Sequence, residues 1–439
     1  MKYLITTLIT FFFSATVFAD NFSVIRDTEV ENTLLRYIHP IFKAAGLNPQ
    51  NAKVVIINDD SINAFVAGGQ TIFVHSGLIT QAKSPDEIAF VLSHETGHIV
   101  GGHVIRGMEQ MKNAQTTALI STVLGGLLAA AGGQADAGLG IMMGINSSVM
   151  GSFMAYRQSE ESAADRTAVD IMNKIGYSMQ GFTDTMKELQ RQERLSSSYD
   201  TNSYWQTHPM TRDRIRHIER FTQNVAAVKK DDNFDLMKAK LIGFLKPIHE
   251  ILHLYQKNTP ADKYALAIAY YRDNKLSDSL KLLDELISQN PLNPYFHELK
   301  GQFLFETGQS NDAILSYEKA VELMPNSPLI RLALGQTLSE SEDQITLQKA
   351  VSHLSTVIKQ DRYIPGAWRL LAVSYGKINN IPMANYAMAE YYMLSGDKKQ
   401  AIKYAKKAID KIPSNTSTYQ YLKDILDITN SKQPNEFEI

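Results

Sequence analysis

The stretch VLSHETGHIV, residues 91–100, sets two histidines four positions apart with a glutamate directly after the first. On an α-helix, residues four apart are rotated by only about 40°. His94 and His98 therefore project from one face and can bind a single metal ion. Glu95 is turned about 100° from His94, beside such an ion rather than on it, where a carboxylate can take a proton from activated water. The flanking sequence is otherwise apolar (IAFVLSHETGHIV), so these side chains stand where a buried helix would carry aliphatic ones. Buried imidazoles need partners. A pair of hydrogen-bonded core histidines is the plain alternative, and a glutamate in the same turn makes it less economical.

Two histidines leave a metal site unfinished. A third histidine six residues beyond His98, as in the metzincin pattern, would fall at a position held by Val104, and His103 is one residue short. A glutamate on a separate helix is the other common solution, and RQSEESAADRTAVD supplies one. Glu161 and Asp165 lie four apart on a predicted helix, so Glu161 can reach the metal while Asp165 points at a ligating histidine and fixes its tautomer. Glu160 is the alternative ligand, and an exposed acidic helix face the ordinary one.

The rest of the chain must position these groups. With 439 residues, 44% of them hydrophobic, it is long enough for two or three folded units. The 44 basic and 46 acidic residues nearly balance, which gives no electrostatic case for nucleic acid. There is no cysteine, so disulfides, thiolate chemistry and Cys-type metal sites are excluded and any metal must sit on His, Glu or Asp. MKYLITTLITFFFSATVFADN has the basic start, apolar run and small residues of a secretory signal, with cleavage expected after Ala19.

Residues 27–46 show helical spacing of Val30, Leu34, Leu35, Ile38, Ile41 and Phe42. KVVIIN, SINAFVAGGQ and TIFVHSGLI then read as short strands broken by Gly68-Gly69, and a helix is expected from Pro85, behind Ser84, to about Met111. Between Lys112 and Arg157 the only charge is Asp136, in a stretch rich in Gly, Ala, Leu and Met. Its longest apolar portion is short and glycine-broken, which favours packed or membrane-surface helices over spanning ones and allows peripheral membrane contact through residues 114–155.

The second half repeats. Pro291 and Pro325 are 34 residues apart, as are Gly301 and Gly335. Gly301, Gly308, Ala313, Tyr317, Ala320 and Pro325 fall on the small, aromatic and proline positions of a tetratricopeptide helix pair, and Trp368, Ala372, Tyr375, Gly396, Ala401 and Pro413 repeat them. An insertion near Glu340–Gln348 makes the array irregular. The expected fold is mainly α: an α+β peptidase domain, helices with a small sheet, followed by an α-helical tetratricopeptide (TPR) solenoid. The boundaries read as a signal at 1–19, a metalloprotease domain at 20–225, a helical connector at 226–259, a solenoid at 260–430 and a tail at 431–439.

With HExxH on one helix and ExxxD on a later one, the chain resembles the gluzincin zinc peptidases related to HtpX. The resemblance implies one Zn2+ per chain held by His94, His98 and Glu161, with Glu95 as general base and Asp165 behind a ligand. It implies that His208, in THPMTRDR, can contact the zinc and restrain activity, that Arg214 steadies the transition state, and that His103 is a family position. A polar loop precedes His208, and an imidazole in the open position would exclude the catalytic water. The segment Gln70, Thr71, Ile72, Phe73, Val74 and His75 resembles the family's substrate-pairing strand, although His75 reads as an outward-facing strand residue. Signal, peptidase and repeats together resemble periplasmic members that act as protease and chaperone. These imply unfolded or stalled outer-membrane proteins as clients and the outer-membrane assembly machinery as a partner of the TPR surface. A TPR scaffold with a latent zinc site is the competing expectation.

Overall fold

The computed structural model describes residues 23–67, 69–103, 147–181, 183, 186, 208, 212–220 and 230–427. The expected signal, most of the 114–155 stretch, Gly68 and the tail lie outside them. Among the described residues, no helix is long and apolar enough to cross a membrane. The chain divides into two compact units that meet in sequence at Leu282 and Leu283.

In the first unit, helix α1 (Thr28–Ala44) starts where the Asp27 side chain accepts the Val30 N–H. Its apolar stripe of Val30, Leu34, Ile38, Ile41 and Phe42 is fully buried. Four strands follow: β1 (Val24–Ile25), β2 (Lys53–Ile57), β3 (Ala64–Val66) and β4 (Thr71–His75), in the order β1-β2-β4-β3. β4 runs parallel to β2, with Ile57 opposite His75, and antiparallel to β3, with Ala64 opposite Val74. Both sides of β4 are thus taken. The expectation that Gln70–His75 pairs with a substrate is corrected on that ground, because an added strand needs a free edge. Among the described residues the sheet's edges are β1 and, on the side of β4, β3.

After the short α2 (Ser76–Gln81) comes α3 (Pro85–Gly101), with Pro85 in its first turn and Gly102 at φ 62° ending it. Every residue from Pro85 to Gly97 is buried. The helix therefore runs through the core, packed against α1 and against α4 (Ser147–Ile175). The crossing with α4 is at Gly97: a Cβ there would lie 2.9 Å from both Cα and O of Ala164. Only glycine lets the two backbones approach this closely, next to His98 and about one turn from His94 on one helix and from Glu161 on the other. Gly97→Val should destabilise the protein by about 1–3 kcal/mol by overpacking, read as a lower thermal midpoint.

The core does not stop at residue 225. Helix α5 (Arg212–Glu219) is followed by α6 (Asp232–Leu245), whose Phe234, Met237 and Leu241 join the same core as Val30 and Phe90. Short α7 (Ile248–Leu254) leads to α8 (Pro260–Arg272), opened by a reciprocal capping box between Thr259 and Asp262. Tyr264 on α8 donates to Glu29 on α1 at 2.8 Å, and Lys240 on α6 lies 2.8 Å from Asp27 and 3.5 Å from Glu29. The sequence reading made 226–259 a connector and began the repeats at 260. The apolar face of α6 packs into the core that holds α1 and α3, and this buried charge cluster joins α8 to α1.

Helix α9 (Leu276–Gln289) runs across the division. The second unit continues with helix pairs α10 (Pro294–Glu306) and α11 (Ser310–Leu323), α12 (Pro328–Ser339) and α13 (Gln344–Gln360), α14 (Pro365–Lys377) and α15 (Ile381–Leu394), and α16 (Lys398–Ile409) and α17 (Ser417–Asp427). The small repeat positions act sterically. A Cβ on Gly301 would come within 2.9 Å of the Tyr317 ring, and one on Gly335 within 2.7 Å of Leu354. The extra residues before α13 lie in a turn where Asp343 caps the helix by accepting the Thr346 N–H.

Candidate active site

Helix α3 brings His94, Glu95 and His98, α4 brings Glu161 and Asp165, and His208 and Arg214 come from the later segment that includes α5. Four donor atoms converge: Nε2 of His94, Nε2 of His98, Nδ1 of His208 and the Glu161 carboxylate. The spacings are 3.1 Å from His98 to His94, 3.3 Å from His94 to His208, 3.2 Å from His208 to Glu161, 3.3 Å from His94 to Glu161 and 3.4 Å from His98 to Glu161. Glu160 is not among the four.

These residues fit a metal ion. A tetrahedral ion with bonds of about 2.0–2.1 Å has ligand–ligand edges of about 3.3–3.4 Å, close to what these atoms show. Three neutral imidazoles cannot supply each other with enough protons to make all these contacts hydrogen bonds. The charge argues the same way. Burial opposes a charged His94, yet the Asp165 and Glu161 carboxylates overcome it and raise the imidazole to about 10. Burial pushes the Glu161 carboxyl up, but His208 and His94 pull it well below the usual range. The nest is anionic and demands positive charge at its centre, which a dication supplies.

Around the cluster, each group is held in turn. Asp165 Oδ1 lies 3.0 Å from His94 Nδ1. Arg214 donates two parallel bonds to Asp165, from Nε at 2.6 Å and from the guanidinium at 2.8 Å, lies 3.0 Å from Glu161 and reaches the His208 carbonyl at 3.4 Å. Arg214 is thus buried against both carboxylates. His208 Nε2 stands 3.2 Å from the Ala64 carbonyl on β3. The carbonyl can only accept, so Nε2 carries a proton there, and a ring with that single proton turns the Nδ1 lone pair toward the cluster.

Glu95 is 1% exposed and outside the donor set. Its Oε1 is buried without a hydrogen bond, 3.3 Å from His208 Nε2. Burial pushes its carboxyl up, which suits a group that must accept and return a proton. His75 is elsewhere and not outward-facing: it is 5% exposed, with Nδ1 2.8 Å from Ser61 Oγ and 3.4 Å from Asp59. Sequence reasoning missed Ala64, since strand patterns do not give strand order, and Gly97, whose only signal was a glycine inside a helix.

Residues 25–222 match the profile of peptidase family M48. This part of the chain is an M48 metallopeptidase domain. Residues 264–328 and 384–415 match tetratricopeptide-repeat profiles, so the M48 domain is followed by TPR repeats. The chain is similar to the beta-barrel assembly-enhancing protease of Escherichia coli (strain K12), at 25% identity over 368 residues, 81% of this chain and 74% of that protein. It is also similar to the putative beta-barrel assembly-enhancing protease of Vibrio cholerae, 27% identical over 55% of this chain and 51% of that one. The similarity to metalloprotease LoiP of Escherichia coli (strain K12), 28% identical over 39% of this chain and 62% of that one, covers less of the chain.

Proposed function

We propose that this protein is a periplasmic zinc endopeptidase that acts in outer-membrane protein assembly and quality control and is held shut by His208. The observation that carries the reading is the set of four donors at tetrahedral spacing beside a Glu95 oxygen without a hydrogen bond. His94, His98 and Glu161 would hold Zn2+, with His208 in the fourth position. Bound zinc supplies Lewis-acid activation of water and of the scissile carbonyl. Glu95 takes the proton from water at Oε1 and hands it to the departing amine. Asp165 and Arg214 keep His94 and Glu161 oriented.

The substrate would lie as an added strand on β3, Ala64–Val66, in place of the β4 edge expected from sequence. Main-chain pairing accepts varied sequences. His208 blocks at three points, since it fills the cluster, stands against Glu95 and takes up the Ala64 carbonyl. In that state the chain can serve as a TPR scaffold or chaperone. The relatives' names support beta-barrel assembly as the setting, with stalled outer-membrane proteins as clients and the assembly machinery docking on the repeats. The signal read at residues 1–19 supports the periplasm.

Metal analysis together with cleavage of casein and of a misfolded outer-membrane protein tests the reading. His208→Ala should retain zinc and cleave severalfold faster than wild type. Slower cleavage by a zinc-loaded His208→Ala would make His208 part of the catalytic machinery rather than a plug.

A further inference from the structure

His103 lies just past the turn that ends α3, and the four-donor cluster gives it no role. Its Nδ1 is 2.9 Å from Nδ1 of His98, and the two rings meet edge to face with centroids 4.9 Å apart. The residue is 5% exposed. His98 turns its Nε2 to the cluster, so a metal there takes that lone pair and the single ring proton stays on Nδ1. That proton can only be donated, which makes His103 Nδ1 the acceptor and places the proton of a neutral His103 on its Nε2.

We infer that His103 is a positioning residue for the metal, fixing the tautomer and ring plane of His98 as Asp165 does for His94. This rests on the metal-site reading above. The two ligands of α3 are thus backed differently, His94 by a carboxylate clamped to Arg214 and His98 by a neutral imidazole.

The local backbone is built for this contact. Gly102, at φ 62°, returns its N–H to the His98 and Ile99 carbonyls and turns the chain back over the last turn of α3. A Cβ on Gly101 would stand 2.2 Å from His103 Nε2 and 2.6 Å from Cδ2, so the His103 ring occupies the space that a side chain at 101 would fill. Gly101, Gly102 and His103 act together: one glycine makes the turn, the other makes the room, and the imidazole reaches His98.

Competition between the full-length chain and a chelator for Zn2+ tests this, with the thermal midpoint of the metal-free chain as a check on the fold. His103→Leu should weaken zinc binding by about 10- to 100-fold, the loss typical when the partner of a ligating histidine is removed. His103→Gln, whose side-chain carbonyl can accept the same proton, should recover most of it. Gly101→Ala keeps the imidazole but displaces it, and should lose affinity while the metal-free chain still unfolds cooperatively. That variant decides if His103→Leu does not fold. Wild-type affinity in a folded His103→Leu, or in Gly101→Ala, overturns the inference, as does a glutamine variant no better than leucine. A wild-type chain that binds no zinc overturns the metal-site reading and this inference with it.

Discussion

Replacing Glu95 with glutamine leaves a folded, metal-loaded protein that no longer cleaves peptide bonds. Glutamine has the shape of glutamate but cannot accept a proton, and a positioned acid–base group contributes about 10²- to 10⁴-fold to rate. Glu95 is not one of the four clustered donors, so its charge is not needed to hold the ion. Its Oε1 makes no hydrogen bond, and its one close polar neighbour, His208 Nε2 at 3.3 Å, can still meet a glutamine oxygen. Cleavage assays with metal analysis on the same preparation check the result. Persistent cleavage by zinc-loaded Glu95→Gln would remove Glu95 from the mechanism, and loss of zinc would make it part of the site's structure.

Glu29→Gln should flatten the pH dependence of stability between about pH 4.5 and 7. Burial pushes the Glu29 carboxyl up from 4.5 to about 7, against the pull of Lys240. Below 4.5 the carboxyl is protonated in both the folded and unfolded chains and carries no penalty. Between 4.5 and 7 the folded chain keeps a proton that the unfolded chain has released, so stability falls as pH rises and then levels off. The shift corresponds to a decline of about 3 kcal/mol. Glutamine cannot titrate, can still accept from Tyr264, and leaves Lys240 paired with Asp27 at 2.8 Å. Denaturant unfolding of both proteins from pH 4 to 8 checks it, and an equal decline in the two would exclude Glu29 as the source. The consequence reaches past stability, because this cluster joins α1 of the M48 domain to α8 at the start of the repeats.

The sequence by itself determined the local chemistry and the repeating architecture. Helical periodicity places His94 and His98 on one face, because four residues make just over one turn whatever the helix packs against. The 34-residue recurrence of small, aromatic and proline positions identifies the TPR pairs, since each pair buries its face on its neighbour and the steric demands repeat locally. The tertiary structure alone decided which distant groups meet. Glu160 and Glu161 are equivalent in spacing, and the Gly97–Ala164 crossing sets the helix rotation that brings Glu161 to the cluster. The strand pattern of residues 70–75 is that of any half-buried strand, and only the pairing with both β2 and β3 shows that its edges are closed. Phe234, Met237 and Leu241 join the core of Val30 and Phe90, because burial is settled by contacts between helices far apart in the chain.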